Sequence, residues 1–386
     1  MQLVDPRTSY CRLRDESRDV PRAPPFSPTN WSSLVALAQS ESVCVDLLDL
    51  IEKRSLSDQL PADLLSRLVA FQWAAEESER RLRVLVRHIA RLLESNEIDF
   101  VLLKGSAIIC GDYGAAKGHR TINDIDILVK PGQLDKITQI LLSNGFETEL
   151  VLPDKLDEFW SSKHLPPFFH PDFNFPLEIH QLPLSTTGAA REPNLLSATE
   201  VFERSEVVVI DGSKVQIPCA EHMFFHAFYH SQISDLYDLE CHDNYRAMID
   251  CVLIVDKRSN SFDWNLLNSL AIDKRLRNAL SLFIERISAC VDQRAAQWPS
   301  VSARPAINRF RWWLVSKSPW VGRLMSVTVL HVREMRRALS QDGRNERQQL
   351  LRSNPDSWKY YPLWRQLTSL TLMISRWKYF LGKLRS

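Results

Sequence analysis

Glycine is scarce in this chain, with 11 among 386 residues. Neither G-x-G-x-x-G nor G-x-x-x-x-G-K-[ST] occurs. The two common glycine-rich phosphate cradles are therefore missing, which argues against a Rossmann dehydrogenase and a P-loop ATPase. None of the seven scattered cysteines forms a C-x-x-C pair. That pattern disfavours a zinc ribbon or a disulfide framework and favours a reduced, cytoplasmic protein. No run of 18 or more uncharged apolar residues is present, so no membrane-spanning helix is expected. The first 30 residues carry five prolines and several charges but no apolar core. Residues 1–29 read as a flexible leader rather than a secretory signal.

The composition that remains is ordinary for a globular protein, 45% hydrophobic and 25% charged. At roughly 150 residues per domain the length suggests two or three units. The net charge of +1 hides an asymmetry. Residues 301–386 contain 17 Lys and Arg against 4 Asp and Glu, leaving 31 basic and 43 acidic residues for the rest. The basic segment is also aromatic, with Trp312, Trp313, Trp320, Trp358 and Trp364 among others. It suits weak contact with an anionic membrane surface or nucleic acid, docking on the acidic remainder of the chain, or simply a helical subdomain with a solvated basic face.

Residues 30–98 read as helical. Leu82, Leu85, Val86, Ile89, Leu92 and Leu93 recur at helical spacing, and Pro61 fits the first turn of one helix. The pattern then changes. Residues 100–103 form a short apolar run that reads as a buried strand, and residues 125–129 form another. A helix follows with Leu134, Ile137 and Leu141 on one face, closed by Asn144-Gly145 as by a C-terminal glycine cap. Residues 146–151 suggest a third strand. Residues 152–175 read as an aromatic, proline-rich loop, and 176–180 as a strand. Asp211-Gly212-Ser213 between two β-branched runs predicts a hairpin. From 221 to about 290 the pattern is helical again.

The chemistry concentrates in a few residues. Asp124 and Asp126 are spaced i, i+2 at the start of a predicted strand, so both point to one face. Such a pair suits a hard divalent cation, Mg²⁺ being usual beside phosphates. Alone, an Asp-x-Asp equally fits a solvated turn. Here the acids interrupt Ile122, Ile125, Ile127, Leu128 and Val129, where burial without partners is costly. Glu178 lies on a later strand. If that strand pairs beside the first, three acids converge and can hold two metal ions roughly 3.5–4 Å apart. Upstream, Lys104-Gly105-Ser106 opens a predicted helix whose amides and Ser106 hydroxyl can face a triphosphate. Lys104 suits a phosphate or a strand-end surface position. Arg120 precedes the acids and can neutralise phosphate charge. His180 shares the Glu178 side of its strand and fits carboxylate orientation, substrate contact or a structural role. His222, His226 and His230 lie nearly on one helix face without the H-E-x-x-H order of a zinc site. Core histidines suit that pattern, and His226 or His230 also suit contact with substrate. Arg246 and Asp250 are four apart and fit a helical ion pair.

The stretch FVLLKGSAI, followed by R-T-I-N-D-I-D-I-L-V and LLSNGFE, resembles the nucleotidyltransferase superfamily with a polymerase-β-like fold. Within it the pattern is most similar to the bacterial group called the uncharacterised nucleotidyltransferase family, over roughly residues 80–275. That resemblance implies an α+β fold: a small mixed sheet flanked by helices, with a helical N-terminal segment and a helical C-terminal region. It divides the chain into N-terminal helices (30–98), a nucleotidyltransferase core (99–218), a helical subdomain (219–300) and the basic tail (301–386). By the same resemblance Asp124, Asp126 and Glu178 ligate metal, Glu178 also serves as base, and Gly105 and Ser106 bind nucleotide phosphates. The implied reaction uses an NTP with Mg²⁺ and an acceptor the sequence does not name. The pattern departs from the superfamily in three respects, one being that Thr121-Ile122-Asn123 stands where a second loop glycine and serine are usual. Ser106 and Asp124 are 18 positions apart, longer than the usual hairpin, and Glu stands at 178 where Asp is commoner. A non-catalytic interaction subunit on the same fold is the alternative.

Overall fold

Helical spacing of apolar residues builds the N-terminal part. The computed structural model describes residues 28–113, 118–130, 132–148, 165–184, 195–235, 243–299, 310 and 312–314. Helix α1 spans Pro28–Ser40, α2 Cys44–Lys53 and α3 Ala62–Glu94. Pro61 stands at the N-cap of α3, where its missing N–H costs nothing. The stripe Leu64, Leu68, Leu82, Leu85, Val86, Ile89 and Leu93 is buried. Each such leucine is worth roughly 1.5–3 kcal/mol when removed from water. Packing therefore outweighs the presence of charged residues along the opposite face of α3.

The central sheet has seven strands in the order β3-β4-β5-β2-β1-β7-β6. The strands are β1 Phe100–Leu102, β2 Ile125–Val129, β3 Glu147–Thr148, β4 Phe168–His170, β5 Phe173–His180, β6 Glu206–Ile210 and β7 Ser213–Ile217. The sheet is mixed: β1 pairs antiparallel with β2 and parallel with β7, and β2 pairs parallel with β5. Every residue of β1 and β2 is buried. This explains their continuous apolar runs instead of alternation. Helix α4, Lys104–Cys110, follows β1 directly, and α5, Leu134–Ser143, follows β2. Helix α5 ends as expected: Gly145 N–H donates to the Leu142 carbonyl and Phe146 N–H to that of Leu141, the Schellman arrangement. The 206–217 hairpin also forms. Asp211 and Gly212 both have positive φ, 46° and 84°, as a two-residue type I′ turn requires.

One expectation needs correction. The stretch 152–175 contains strand β4 and the start of β5, where a loop was expected. Pro166, Pro167 and Pro171 obscured them, since proline demotes a strand reading. Pro176 is tolerated inside β5 because the β4 register shifts there and pairing with β2 begins only at Leu177. The expected third strand forms at Glu147–Thr148 among the described residues, and residues 149–164 lie outside them.

Beyond α6, Ala198–Glu203, and the hairpin come α7, Ala220–Phe228, a π-helical segment Tyr229–Ser234, α8 Tyr245–Lys257, α9 Trp264–Leu270 and α10 Lys274–Cys290. Among the described residues no helix is long and apolar enough to cross a membrane. Cys44, Cys110, Cys219, Cys251 and Cys290 are free. The chain divides into two compact units. One comprises Met1–Leu236 and Asp243–Pro305; the other comprises Tyr237–His242 and Ala306–Ser386. In the second unit the Phe310 ring stacks on Trp313 at 5.7 Å. The remaining basic tail and leader residues 1–27 lie outside the described residues.

Candidate active site

Strand register assembles the acids. In the parallel β2–β5 ladder Asp126 lies opposite Glu178, and Leu128 opposite His180. Side chains alternate, so Asp126, Glu178 and His180 share one face. One ligand atom from each lies within 4.8 Å of the others. Asp126 and His180 are about fully buried, at 1% and 0% exposure, whereas the Glu178 side chain keeps 21%. The cluster thus has a closed floor and one open carboxylate. Asp124 precedes the first residue of β2; it is outside the group that gathers within 4.8 Å, yet feels the charges of Asp126, Lys104 and Glu178. It lines the adjoining cavity. His180, expected beside Glu178 alone, contacts both acids: its Nε2 is 2.7 Å from Asp126 Oδ1 and 3.4 Å from Glu178 Oε2.

Electrostatics differ between the two aspartates. Burial alone would raise the Asp126 carboxyl, but the His180 hydrogen bond and the Lys104 ammonium hold it well below the ordinary carboxylate range. Burial raises Asp124, and the negative Asp126 beside it adds to that. Lys104 donates to Asp126 Oδ1, and its Nζ lies 3.9 Å from Glu178 Oε2. Its ammonium thus faces the acids, where the sequence suggested a phosphate. Burial opposes that charge, yet Asp126 and Glu178 outweigh the opposition and raise the lysine above its usual range.

The turn after β1 also differs in detail. The Ser106 hydroxyl donates to the Leu103 carbonyl at 2.6 Å, and the residue is fully buried. A first-turn serine finds that acceptor more readily than an external anion, so the hydroxyl is not presented to the cavity. Gly105 does permit a close approach, but by Arg120. A Cβ on Gly105 would stand 1.8 Å from Arg120 Nη1. The Arg120 guanidinium is held against the glycine by Asp250 of α8, with Nε to both carboxylate oxygens at 3.2 and 3.1 Å. The loop carrying Arg120 is pinned from α3, where buried Glu79 accepts from Gly118 N–H at 2.8 Å. These contacts predict that Gly105→Ala will displace Arg120 and cost about 1–3 kcal/mol, as overpacking does. Comparing denaturation midpoints with wild type checks this, and an unchanged midpoint would contradict it.

A cavity of about 270 Å³ adjoins the acids, lined by Lys104, Arg120, Asp124, His226, His230 and Arg246 together with Asp250, Asn244, Ser231 and apolar Ile108 and Met223. The π-helical segment after α7 places His230 and Ser231 there, and such segments recur at functional sites. The imidazoles of His226 and His230 lie 6.4 Å apart, and His230 Nδ1 is 3.0 Å from Asp235. His222 does not line the cavity; burial pushes it down to about 4. Arg246 and Asp250 do approach, at 3.9 Å, but Asp250 is shared with Arg120. Sequence reasoning missed Asn244, whose signal was its place as helix N-cap: its side chain accepts from Ala247 N–H. It also missed the Arg120–Asp250 pair, which spans 130 positions.

The donors at the cluster are two carboxylates and one imidazole. Carboxylates suit Mg²⁺ or Mn²⁺, whereas nitrogen is a poor Mg²⁺ ligand. For Mg²⁺, therefore, Asp126 and Glu178 are the fitting ligands and His180 the group that orients them.

Comparison with known proteins yields one family and several folds. The family described as uncharacterised nucleotidyltransferase matches residues 27–292. No curated protein matches the chain. Among solved structures, an antigenic nucleotidyltransferase-like protein from Paracoccidioides brasiliensis is 16% identical, with a TM-score of 0.38, covering 55% of this chain and 93% of that one. ANT(2")-Ia in complex with adenylyl-2"-tobramycin is 13% identical, with a TM-score of 0.33, covering 49% and 93%.

Proposed function

The chain belongs to the uncharacterised nucleotidyltransferase family, and on that premise we propose that it moves a nucleoside monophosphate from an NTP to an acceptor hydroxyl, amine or phosphate. The acceptor–phosphorus bond forms at the α-phosphate, the bond to the β-phosphate bridging oxygen breaks, and pyrophosphate leaves. The observation that carries this reading is the convergence of Asp126, Glu178 and His180 beside a cavity lined by Lys104, Arg120 and Asp124. In the proposal Asp126 and Glu178 hold Mg²⁺, with Asp124 facing the cavity as a further ligand that can support a second ion. A cation there supplies charge neutralisation and alignment of the phosphoryl oxygens. Glu178, the exposed acid, takes the acceptor proton. Arg120 and Arg246 face the phosphates, and Gly105 serves by letting Arg120 approach. His226 and His230 contact substrate. The free thiols fit a reducing compartment, and a cytoplasmic location is proposed.

A specific observation favours a second reading, a non-catalytic interaction subunit: the ammonium of Lys104 already faces Asp126, and the Ser106 hydroxyl is turned inward. Calorimetry separates the two. The transferase reading expects Mn²⁺- or Mg²⁺-dependent binding of at least one NTP, lost in Asp124→Ala/Asp126→Ala. Unchanged nucleotide affinity after both aspartates are removed selects the second reading.

A further inference from the structure

The positive charge that faces the buried acids in this structure comes from the chain itself. Asp126 is at 1% exposure between Ile125 and Ile127. It cannot stay ionised there without a compensating charge, because the desolvation cost of an isolated buried carboxylate is far larger than any local packing gain. Lys104 supplies that compensation, hydrogen-bonded to Asp126 and 3.9 Å from Glu178. The backbone at this residue is unusual. Lys104 has φ of 48°, a left-handed conformation that non-glycine residues rarely adopt and that marks a functional constraint when its surroundings enforce it. Lys104 also lines the cavity, so its long, rotatable stem has space to leave the acids without backbone movement.

We propose that Lys104 is the resident counter-ion of the carboxylate cluster: its ammonium and a divalent cation compete for the same face of Asp126 and Glu178. The proposal rests on the reading that these acids hold metal. It makes Lys104 a positioning residue that keeps the cluster assembled in the ion-free protein and sets the metal concentration at which loading occurs. Intrinsic affinity is weakened by the fraction of time the ammonium holds the site. The released ammonium then faces the cavity, where a triphosphate is the matching partner.

Mn²⁺ titration followed by electron paramagnetic resonance, with no nucleotide present, tests this on the full-length chain. Two variants are compared with wild type. Lys104→Met keeps the stem without the charge. Lys104→Gly also removes the charge and suits a positive φ, so it separates loss of the ammonium from any backbone misfit of methionine. Both variants are expected to bind Mn²⁺ alone about tenfold tighter than wild type, as release from an occupant that fills the site nine-tenths of the time requires. Lys104→Met should also melt lower than wild type in EDTA and gain more from saturating Mn²⁺. Variants that bind Mn²⁺ no tighter than a wild type that does bind it overturn the counter-ion role and leave the metal reading standing. Absence of Mn²⁺ binding in wild type and variants alike overturns both.

Discussion

Asp250→Ala is expected to remove about 3–5 kcal/mol of stability, the cost of breaking a buried ion pair from one side. Asp250 is 3% exposed. It faces two cations, Arg120 through three close nitrogen–oxygen contacts and Arg246 at 3.9 Å. Alanine removes the carboxylate that both guanidinium groups share. Against a typical total of roughly 5–15 kcal/mol for a folded domain, that loss is visible in any denaturant titration. Arg120→Met should cost less, because Asp250 then retains Arg246. The double variant should cost less than the sum of the two, by roughly 0.5–3 kcal/mol for residues in contact. Additive effects, or a loss below about 1 kcal/mol for Asp250→Ala, would mean that the pair is solvated and does not hold the loop. The consequence for function follows from position. Asp250 holds the Arg120 guanidinium beside Gly105, so its loss releases that cation at the cavity.

How far the sequence could lead depends on the range of each interaction. The hairpin at 211–212, the glycine closure of α5 and the stripe on α3 are local, and each forms where its residue pattern places it. The proximity of Asp126 and Glu178 was reachable too, because two apolar strands with one acid each have few ways to pair. The parallel register that sets 126 against 178 also brings His180 to Asp126, and that needs the register itself, which no spacing encodes. Asp124 stands one residue before β2, so the ladder itself does not fix its side chain, although it stays within electrostatic reach of Asp126 and Glu178. The inward hydroxyl of Ser106 and the ammonium of Lys104 on Asp126 result from competition among nearby donors and acceptors, decided by distances of a few tenths of an ångström. The contact of Arg120 with Asp250 and Gly105 joins three distant segments. Only the tertiary fold reveals that Gly105 accommodates a guanidinium.

Asp126→Asn is expected to lower nucleotidyl transfer by at least roughly 10³-fold, the scale on which loss of one transition-state electrostatic contact is felt in a water-poor site. The change is nearly isosteric, but it removes the charge that the hydrogen bond from His180 and the ammonium of Lys104 stabilise. His180→Gln should cost less, about 10–100-fold, as loss of an orienting partner typically does. Glutamine can still donate to Asp126, and no charge is lost from the acids. The ordering is the informative quantity. If the imidazole is itself an indispensable ligand, the two variants fall together. If it orients Asp126, the gap of one to two decades remains, and raising the Mn²⁺ concentration narrows the deficit of His180→Gln but not that of Asp126→Asn. Transfer from α-labelled NTPs into acceptors of a cell extract reads both, with melting curves run beside them to separate misfolding from lost chemistry. An Asp126→Asn protein that folds and retains activity within about tenfold of wild type would place the reaction elsewhere and leave Asp126 as a structural partner of Lys104 and His180.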